Sequence, residues 1–197
     1  MAVGRLPRAS VESLVRDHLV AQEDPATANL IDRLREARRR GYLTRGEFLE
    51  VCAWKSARSI GHARANNHHR IRRATAAVLG THDEGARLGA LLALQGVGVP
   101  TASAILTMLE PKRYGVIDIR VWQLLHALGA VEGNAAGVGL RPDHWLQFLR
   151  VLRDVSAHTG LAARTVERSL FAAHRAYQEG LLYRSSNASG PGPESSP

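Results

Sequence analysis

Apolar residues recur every three or four positions along most of this chain, and no run shows the sustained alternation of apolar and polar residues that is typical of a half-buried strand. The helical spacing is clear at Leu30 and Leu34 and again at Leu88 and Leu91. Such spacing places apolar side chains on one face of an α-helix. The sequence therefore predicts a nearly all-α fold.

Capping residues predict where several helices begin and end. Asp24 followed by Pro25 predicts a helix start, and Gly41 predicts the end of that helix. Thr44 and Thr81 each stand three residues before a glutamate, which is the spacing of a capping box. Further helices are predicted at residues 10–20, 67–79, 101–109, 119–128, 142–158 and 162–179, with a Gly- and Ala-rich loop at 132–139.

The predicted organisation is one domain over residues 1–184, followed by a Ser-, Gly- and Pro-rich tail at 185–197 that we expect to be disordered. Within the domain we expect two lobes. The helices up to about residue 93 and the last two helices would form one lobe. The segment from about residue 94 through the helix after residue 118 would form the other, with a cleft between them.

The chain carries a net charge of +8 and has a pI near 10.7, which favours nucleic acid as the partner. We expect a monomer that binds double-stranded DNA in the cytoplasm, associated with the nucleoid. Cys52 is the single cysteine, which excludes an internal disulfide and a four-thiolate cluster. No apolar run approaches 18 residues, so we expect no contact with a membrane.

The most informative motif is a Gly-x-Gly turn between two apolar helical runs, at residues 94–102. Glycine has no Cβ, so the backbone amides of such a turn can approach a phosphate closely, and the helix that follows adds its positive N-terminal partial charge. We therefore predict phosphate contacts at Gln95, Gly96, Val97, Gly98, Val99 and Thr101. Asp118 follows twenty positions after Gly98, where a new helix is predicted to begin.

Residues 88–129 resemble the helix-hairpin-helix DNA glycosylase superfamily, whose members carry a Leu-x-Gly-Val-Gly-x-x-Thr-Ala hairpin followed at this spacing by an aspartate that opens a helix. The resemblance implies that Asp118 is the catalytic carboxylate. It also implies a two-lobe helical fold with a central helix-hairpin-helix motif, and a base flipped out of duplex DNA into the cleft. A monovalent cation on the hairpin carbonyls is a further implication.

Three departures from the family pattern refine this expectation. Pro100 stands where bifunctional members carry a Schiff-base lysine, which predicts a monofunctional enzyme. Arg120 replaces a common histidine and is a candidate sugar or phosphate contact. The iron–sulphur cysteines of some members are absent, so we expect no such cluster and no cofactor. Hydrolysis of an N-glycosidic bond by a carboxylate is also physically reasonable without the resemblance. A carboxylate can stabilise the positive charge that develops on the sugar and orient the attacking water.

Three side chains are candidates for the substrate pocket. Trp54 can stack on an extruded base or belong to the core. Lys55 is one of two lysines and can be a phosphate contact, an amine nucleophile or an exposed helix end. Trp122 lies one turn beyond Asp118 and can face the cleft or the inner side of its helix.

A basic, His-rich stretch precedes the turn. The segment Asn66, Asn67, His68 and His69 at its helix start is a candidate for a loop that wedges into the duplex, whereas the alternative is a solvated basic face. The histidines lack interleaved cysteines or acids at ligand spacing, so no metal site is predicted. The main alternative to an enzyme is a catalytically inactive DNA-binding protein in which Asp118 only caps a helix.

Overall fold

The computed structural model describes residues 10–178, and this part of the chain contains ten α-helices and no strand. The all-α prediction is confirmed. The predicted tail at 185–197 and the predicted end of the last helix at Gly180 lie outside the described residues. The helices are α1 (Val11–Asp17), α2 (Pro25–Arg40), α3 (Arg45–Lys55), α4 (Ile60–Arg64), α5 (His68–Gly80), α6 (Glu84–Leu92), α7 (Val99–Leu109), α8 (Ile119–Ala127), α9 (Pro142–Thr159) and α10 (Ala163–Tyr177), with a 3-10 turn at Ala57–Ser59.

The predicted caps of α2 and α3 are confirmed. Asp24 accepts a hydrogen bond from the third residue of α2 at 3.0 Å, and Gly41 ends that helix in the left-handed region at φ +84°. Thr44 and Glu47 form the reciprocal capping box, in which Oγ1 of Thr44 accepts at 3.3 Å and the Glu47 carboxylate accepts at 2.7 Å. These local signals fix both ends of the turn between the two helices.

The predicted cap at Thr81 is wrong. Helix α6 begins two residues later, because Oδ1 of Asp83 accepts the hydrogen bond from the backbone N–H of Ala86 at 2.5 Å. Thr81 instead uses its carbonyl oxygen to accept two bonds from the guanidinium of Arg87. A carboxylate is also favoured over a hydroxyl here by the positive end of the helix dipole.

The helices pack in two groups, which differ from the predicted grouping. Helices α2 to α7 contact one another, with α7 lying against α2, α3 and α6, whereas α8 packs on α10, and α10 packs on α1 and α9. The prediction wrongly placed α7 with α8. The predicted packing of the last two helices on the N-terminal part of the chain is met only at α1, which contacts both α9 and α10, and at α6, which contacts α9. The chain crosses between the groups at residues 18–24 and 110–118, and α9 contacts both α6 and α7.

The core continues through both groups of helices. Its largest fully buried side chains include Phe48 in α3, Trp122 in α8 and Trp145 in α9. Cys52 is buried in the same core, and burial raises the pKa of its thiol to about 12, so this cysteine stays protonated and unreactive. None of the helices between residues 10 and 178 combines the length and apolarity that crossing a membrane requires.

Candidate active site and nucleic-acid interface

Asp118 stands at the end of a buried extended segment that is held from two sides. The backbone N–H of Val116 donates to Oε2 of Glu167 in α10 at 3.3 Å. The next N–H, that of Ile117, donates to Oγ of Ser103 in α7 at 3.1 Å. The segment therefore bridges the two groups of helices, and its position determines where the Asp118 carboxylate lies.

The two carboxylate oxygens of Asp118 have different surroundings. Oδ1 accepts a hydrogen bond from the backbone N–H of Val121 at 3.0 Å and so caps α8. Oδ2 accepts no hydrogen bond from residues 10–178, and the side chain as a whole is partly exposed. One oxygen is thus fixed while the other remains available to a ligand or to water.

Asp118 lines a cavity of about 470 Å³ together with two of the predicted pocket residues, Trp54 and Lys55. Both residues belong to the end of α3, more than sixty positions earlier in the chain. The structure therefore brings together three side chains that the sequence analysis singled out separately. The remaining wall consists of Val20, Glu23, Asp24, Val116, Arg164, Glu167, Arg168, Phe171, Ala172 and Arg175.

Trp54 is held in a defined orientation and is not a core residue. Its Nε1–H donates to Oγ1 of the buried Thr27 at 2.9 Å, and the guanidinium carbon of Arg164 lies 5.4 Å from its ring centroid. The side chain nevertheless remains 36% exposed. An indole fixed in this way can stack on a planar ligand without first losing much rotamer freedom.

A buried ion-pair network supports the cavity wall. Arg164 contacts Glu167 at 2.5 Å and Glu23 at 2.8 Å. Burial raises the pKa of Glu167, the Asp118 charge acts in the same direction, and the Arg164 guanidinium opposes both. Gly115 is required beside this network, because a Cβ there would lie only 2.7 Å from Cβ of Glu167. Sequence reasoning missed the network, whose members stand far apart in the chain.

His174 is a second buried titratable group, and its pKa is influenced by the charge of Asp118. The amide nitrogen of Gln123 donates to the Ala136 carbonyl at 2.8 Å, so its oxygen faces Nε2 of His174 at 3.3 Å and Nε2 must carry the proton. Nδ1 has no partner. Burial lowers the pKa of His174, the charge of Arg120 lowers it further, and that of Asp118 opposes them. The imidazole is therefore neutral at pH 7.

Trp122 does not line the cavity, and its prediction as a pocket residue is wrong. The ring is fully buried, its Nε1–H donates to the Asn134 carbonyl at 2.8 Å, and it packs 4.8 Å from the ring of His144. Arg120, a predicted DNA contact, is turned toward α10, where it hydrogen-bonds Gln178 and lies 5.5 Å from the ring of Phe171.

The predicted phosphate-binding turn connects α6 to α7 at residues 93–98. Gly96 has a φ of +74°, and a Cβ there would come within 2.7 Å of the Ala63 backbone nitrogen. Gly98 caps α7 with an ordinary φ of −92°, and a Cβ there would meet nothing closer than 3.9 Å. Gly96 is therefore needed by the fold, whereas Gly98 presents open, exposed backbone.

The other predicted contacts in the turn divide by burial. The side chain of Gln95 is exposed, whereas those of Val97, Val99 and Thr101 are buried and pack inward. The last three can therefore contact a phosphate only through their backbone. Pro100 takes the second position of α7, where its missing N–H leaves no helical bond unmade.

Asn66 holds the turn in place, and its prediction as part of a duplex wedge is wrong. This side chain is buried, and its amide donates to the carbonyls of Gln95 at 2.8 Å and Ala63 at 2.9 Å. Its oxygen accepts from the Gln95 N–H at 2.9 Å. An asparagine inside a basic, polar stretch gave no signal that it would be buried.

The other predicted wedge residues, Asn67, His68 and His69, lie beside this clamp. Asn67 caps α5 by accepting from the Arg70 N–H at 2.9 Å, so its side chain is already engaged. His68 is exposed and stacks on His69 with ring centroids 3.8 Å apart. A side chain of Arg70 also donates to the Ala93 carbonyl in the turn at 3.1 Å. The turn is thus bordered by an exposed basic surface, made of His62, Arg64, His68, His69 and Arg70.

Some backbone carbonyls of the turn already accept hydrogen bonds from the protein. Leu94 accepts from the Val97 N–H at 3.3 Å, and Gln95 accepts from Asn66. Among residues 10–178, no N–H or O–H donates to the carbonyls of Gly96 and Val97, and the monovalent cation that the resemblance implies stays a prediction. Within residues 10–178, no three His, Cys, Asp or Glu side chains come together in a way that could hold a metal ion.

Comparisons with protein-family models, with curated proteins and with solved structures found no significant match to this chain.

Proposed function

We propose that this protein is a monofunctional DNA glycosylase that hydrolyses the N-glycosidic bond of a damaged or modified base flipped out of duplex DNA. The observation that carries the proposal is the free carboxylate oxygen of Asp118 in a cavity that also contains an oriented, partly exposed indole from Trp54. A carboxylate and an aromatic platform in one cavity suit a ligand with a reacting sugar and a planar base.

The proposal includes a two-lobe arrangement with a helix-hairpin-helix motif. Helices α2 to α7 would form one lobe and α1 with α8 to α10 the other, and the cavity is lined by both crossing segments between them. The α6–α7 turn would bind the DNA backbone through exposed amides such as that of Gly98. The basic surface beside the turn adds sequence-independent attraction for duplex DNA.

In the proposed reaction the C1′–N bond breaks and its electron pair leaves with the base, while the oxygen of a water molecule bonds to C1′. The Asp118 carboxylate stabilises the positive charge that develops on the sugar and accepts the proton that the water loses. The released base takes up a proton from solvent. Extruding the base costs a few kcal/mol, which contacts to phosphate and to Trp54 must offset.

Asp118→Asn tests the catalytic role cleanly, because asparagine also accepts the capping hydrogen bond from Val121 but carries no charge. We would incubate duplexes that carry alkylated, oxidised or deaminated bases with wild type and variant and measure the released base. We expect release by wild type and at least a 100-fold slower rate in the variant, a scale consistent with general base catalysis. DNA strands should stay intact until alkali is added.

A second candidate is a DNA-binding protein without catalytic activity. The observation that favours it is the capping bond of Asp118 Oδ1, which gives the carboxylate a structural reason to be present. This candidate predicts salt-dependent DNA binding, no base release from any lesion and normal binding by Asp118→Asn. Release of a base by wild type, lost in the variant, would decide for the enzyme.

A further inference from the structure

Four cations among residues 10–178 line the cavity, and two of them are already neutralised by protein carboxylates. Arg164 is 90% or more buried and is paired with both Glu23 and Glu167. Arg168 is paired with Glu23 at 3.3 Å and also donates to a backbone carbonyl. Their charges hold α10 to the segment before α2, and they leave little donor capacity for a ligand.

The other two cations, Lys55 and Arg175, have no ion-pair or hydrogen-bond partner among residues 10–178. Lys55 is the last residue of α3 and directly follows Trp54. Arg175 lies in the last turn of α10, one turn after Phe171, which also lines the cavity. The free positive charge of the cavity therefore comes from two different helices.

We propose that Lys55 and Arg175 bind the DNA phosphates on either side of the nucleotide that enters the cavity, and that Arg164 and Arg168 serve the fold. This inference rests on the proposed function, because it requires a nucleotide in the cavity. An extruded nucleotide brings its two flanking phosphates to the rim of the pocket that receives its base. Unpaired cations there neutralise those phosphates without first breaking an internal ion pair.

The assignment is tested with a duplex that carries one tetrahydrofuran abasic analogue and with the same duplex undamaged. Fluorescence anisotropy across a range of NaCl concentrations gives the affinity and the salt slope for each. The variants are Lys55→Ala, Arg175→Ala and Lys55→Arg. Arg38→Ala is the matched control. Arg38 is exposed, forms no ion pair with the part of the chain that the structure describes, and lies about 20 Å along α2 from the cavity residue Asp24.

We expect each alanine variant to bind the abasic duplex about three- to tenfold more weakly and to lower the salt slope by about 0.9, the effect of one phosphate contact. The undamaged duplex should lose less affinity, because its nucleotides stay stacked. Lys55→Arg should restore binding and Arg38→Ala should bind like wild type. Unchanged melting temperatures would show that the alanine variants remain folded.

The inference is overturned if Lys55→Ala and Arg175→Ala bind the abasic duplex with the wild-type affinity and salt slope, or if Arg38→Ala loses as much. It is also overturned if Lys55→Arg does not restore binding. Failure of the proposed function looks different: wild type would release no base, or Asp118→Asn would retain full activity. Wild type that releases a base while both alanine variants bind normally would reject the phosphate assignment alone.

Discussion

The side chain of Asn66 pairs with both backbone groups of Gln95, accepting from the N–H at 2.9 Å and donating to the carbonyl at 2.8 Å. These two hydrogen bonds tie the segment before α5 to the α6–α7 turn. A third bond, to the Ala63 carbonyl at 2.9 Å, uses the remaining amide hydrogen. Every polar group of this buried side chain is therefore satisfied, and the turn is fixed by a residue almost thirty positions away.

Replacing this clamp should destabilise the fold. Asn66→Ala leaves one buried and two partly buried backbone groups without these hydrogen bonds, and we expect a loss of about 2–4 kcal/mol in the free energy of unfolding. Asn67→Ala is the neighbouring control, which removes only the cap of α5 and should cost about 1 kcal/mol. Urea unfolding followed by circular dichroism measures both. Equal losses in the two variants would contradict the clamp.

Gly96 and Gly98 should respond differently to the same added methyl group. Gly96→Ala forces a Cβ to within 2.7 Å of the Ala63 backbone nitrogen at a positive φ, and we expect a loss of about 3 kcal/mol in unfolding free energy. Gly98→Ala meets open space and should change stability by less than about 1 kcal/mol. If the turn binds DNA, Gly98→Ala weakens binding while leaving the fold intact.

The two measurements that separate these variants are thermal unfolding and binding to an undamaged duplex. A Gly98→Ala protein that binds DNA like wild type would show that the exposed backbone of the turn does not approach a phosphate. A Gly96→Ala protein as stable as wild type would show that α4 can move away from the turn.

His174 should make stability depend on pH. Burial and the Arg120 charge lower the pKa of this imidazole below its unfolded value of about 6.5. Between the two pKa values the unfolded chain binds more protons than the folded protein, so stability should fall as pH drops below about 6.5. His174→Gln removes the titrating group and should flatten the stability profile between pH 7 and pH 5.

The control for this pH dependence is His82→Gln, since His82 is exposed. That variant should follow the wild-type profile of unfolding free energy against pH. A profile of His174→Gln that still falls as steeply as wild type would assign the pH dependence to other groups.

The sequence predicted those parts of the molecule that depend on neighbouring residues. The caps at Asp24 and Thr44, and the helix that begins after Asp118, follow from hydrogen bonds within three positions along the chain. The sequence singled out Asp118 and Trp54 separately, because their meeting in one cavity depends on how the helices pack. Helical spacing alone could not decide which face of α8 is buried, and Trp122 consequently proved to be in the core.

Contacts between distant residues account for what the sequence did not predict. Glu167 reaches the backbone of Val116 across 51 positions, and Arg164 reaches Glu23 across 141. No local pattern distinguishes Arg164 and Glu167 from Arg168 and Arg175 in the same helix. Their roles become visible only when burial is known.

The Arg164–Glu167 pair allows a final test of how the cavity wall is stabilised. Arg164→Met removes the cation from a fully buried carboxylate, and we expect a loss of about 3–5 kcal/mol in unfolding free energy at pH 8. Burial raises the pKa of Glu167, so its carboxyl is more readily protonated when folded than when unfolded. A group of this kind favours the folded state at low pH and loses that contribution as pH rises. The loss in Arg164→Met should therefore be smaller at pH 5 than at pH 8, and the double variant with Glu167→Gln should recover part of it. A double variant as unstable as the sum of the two single variants would show that the pair is not coupled.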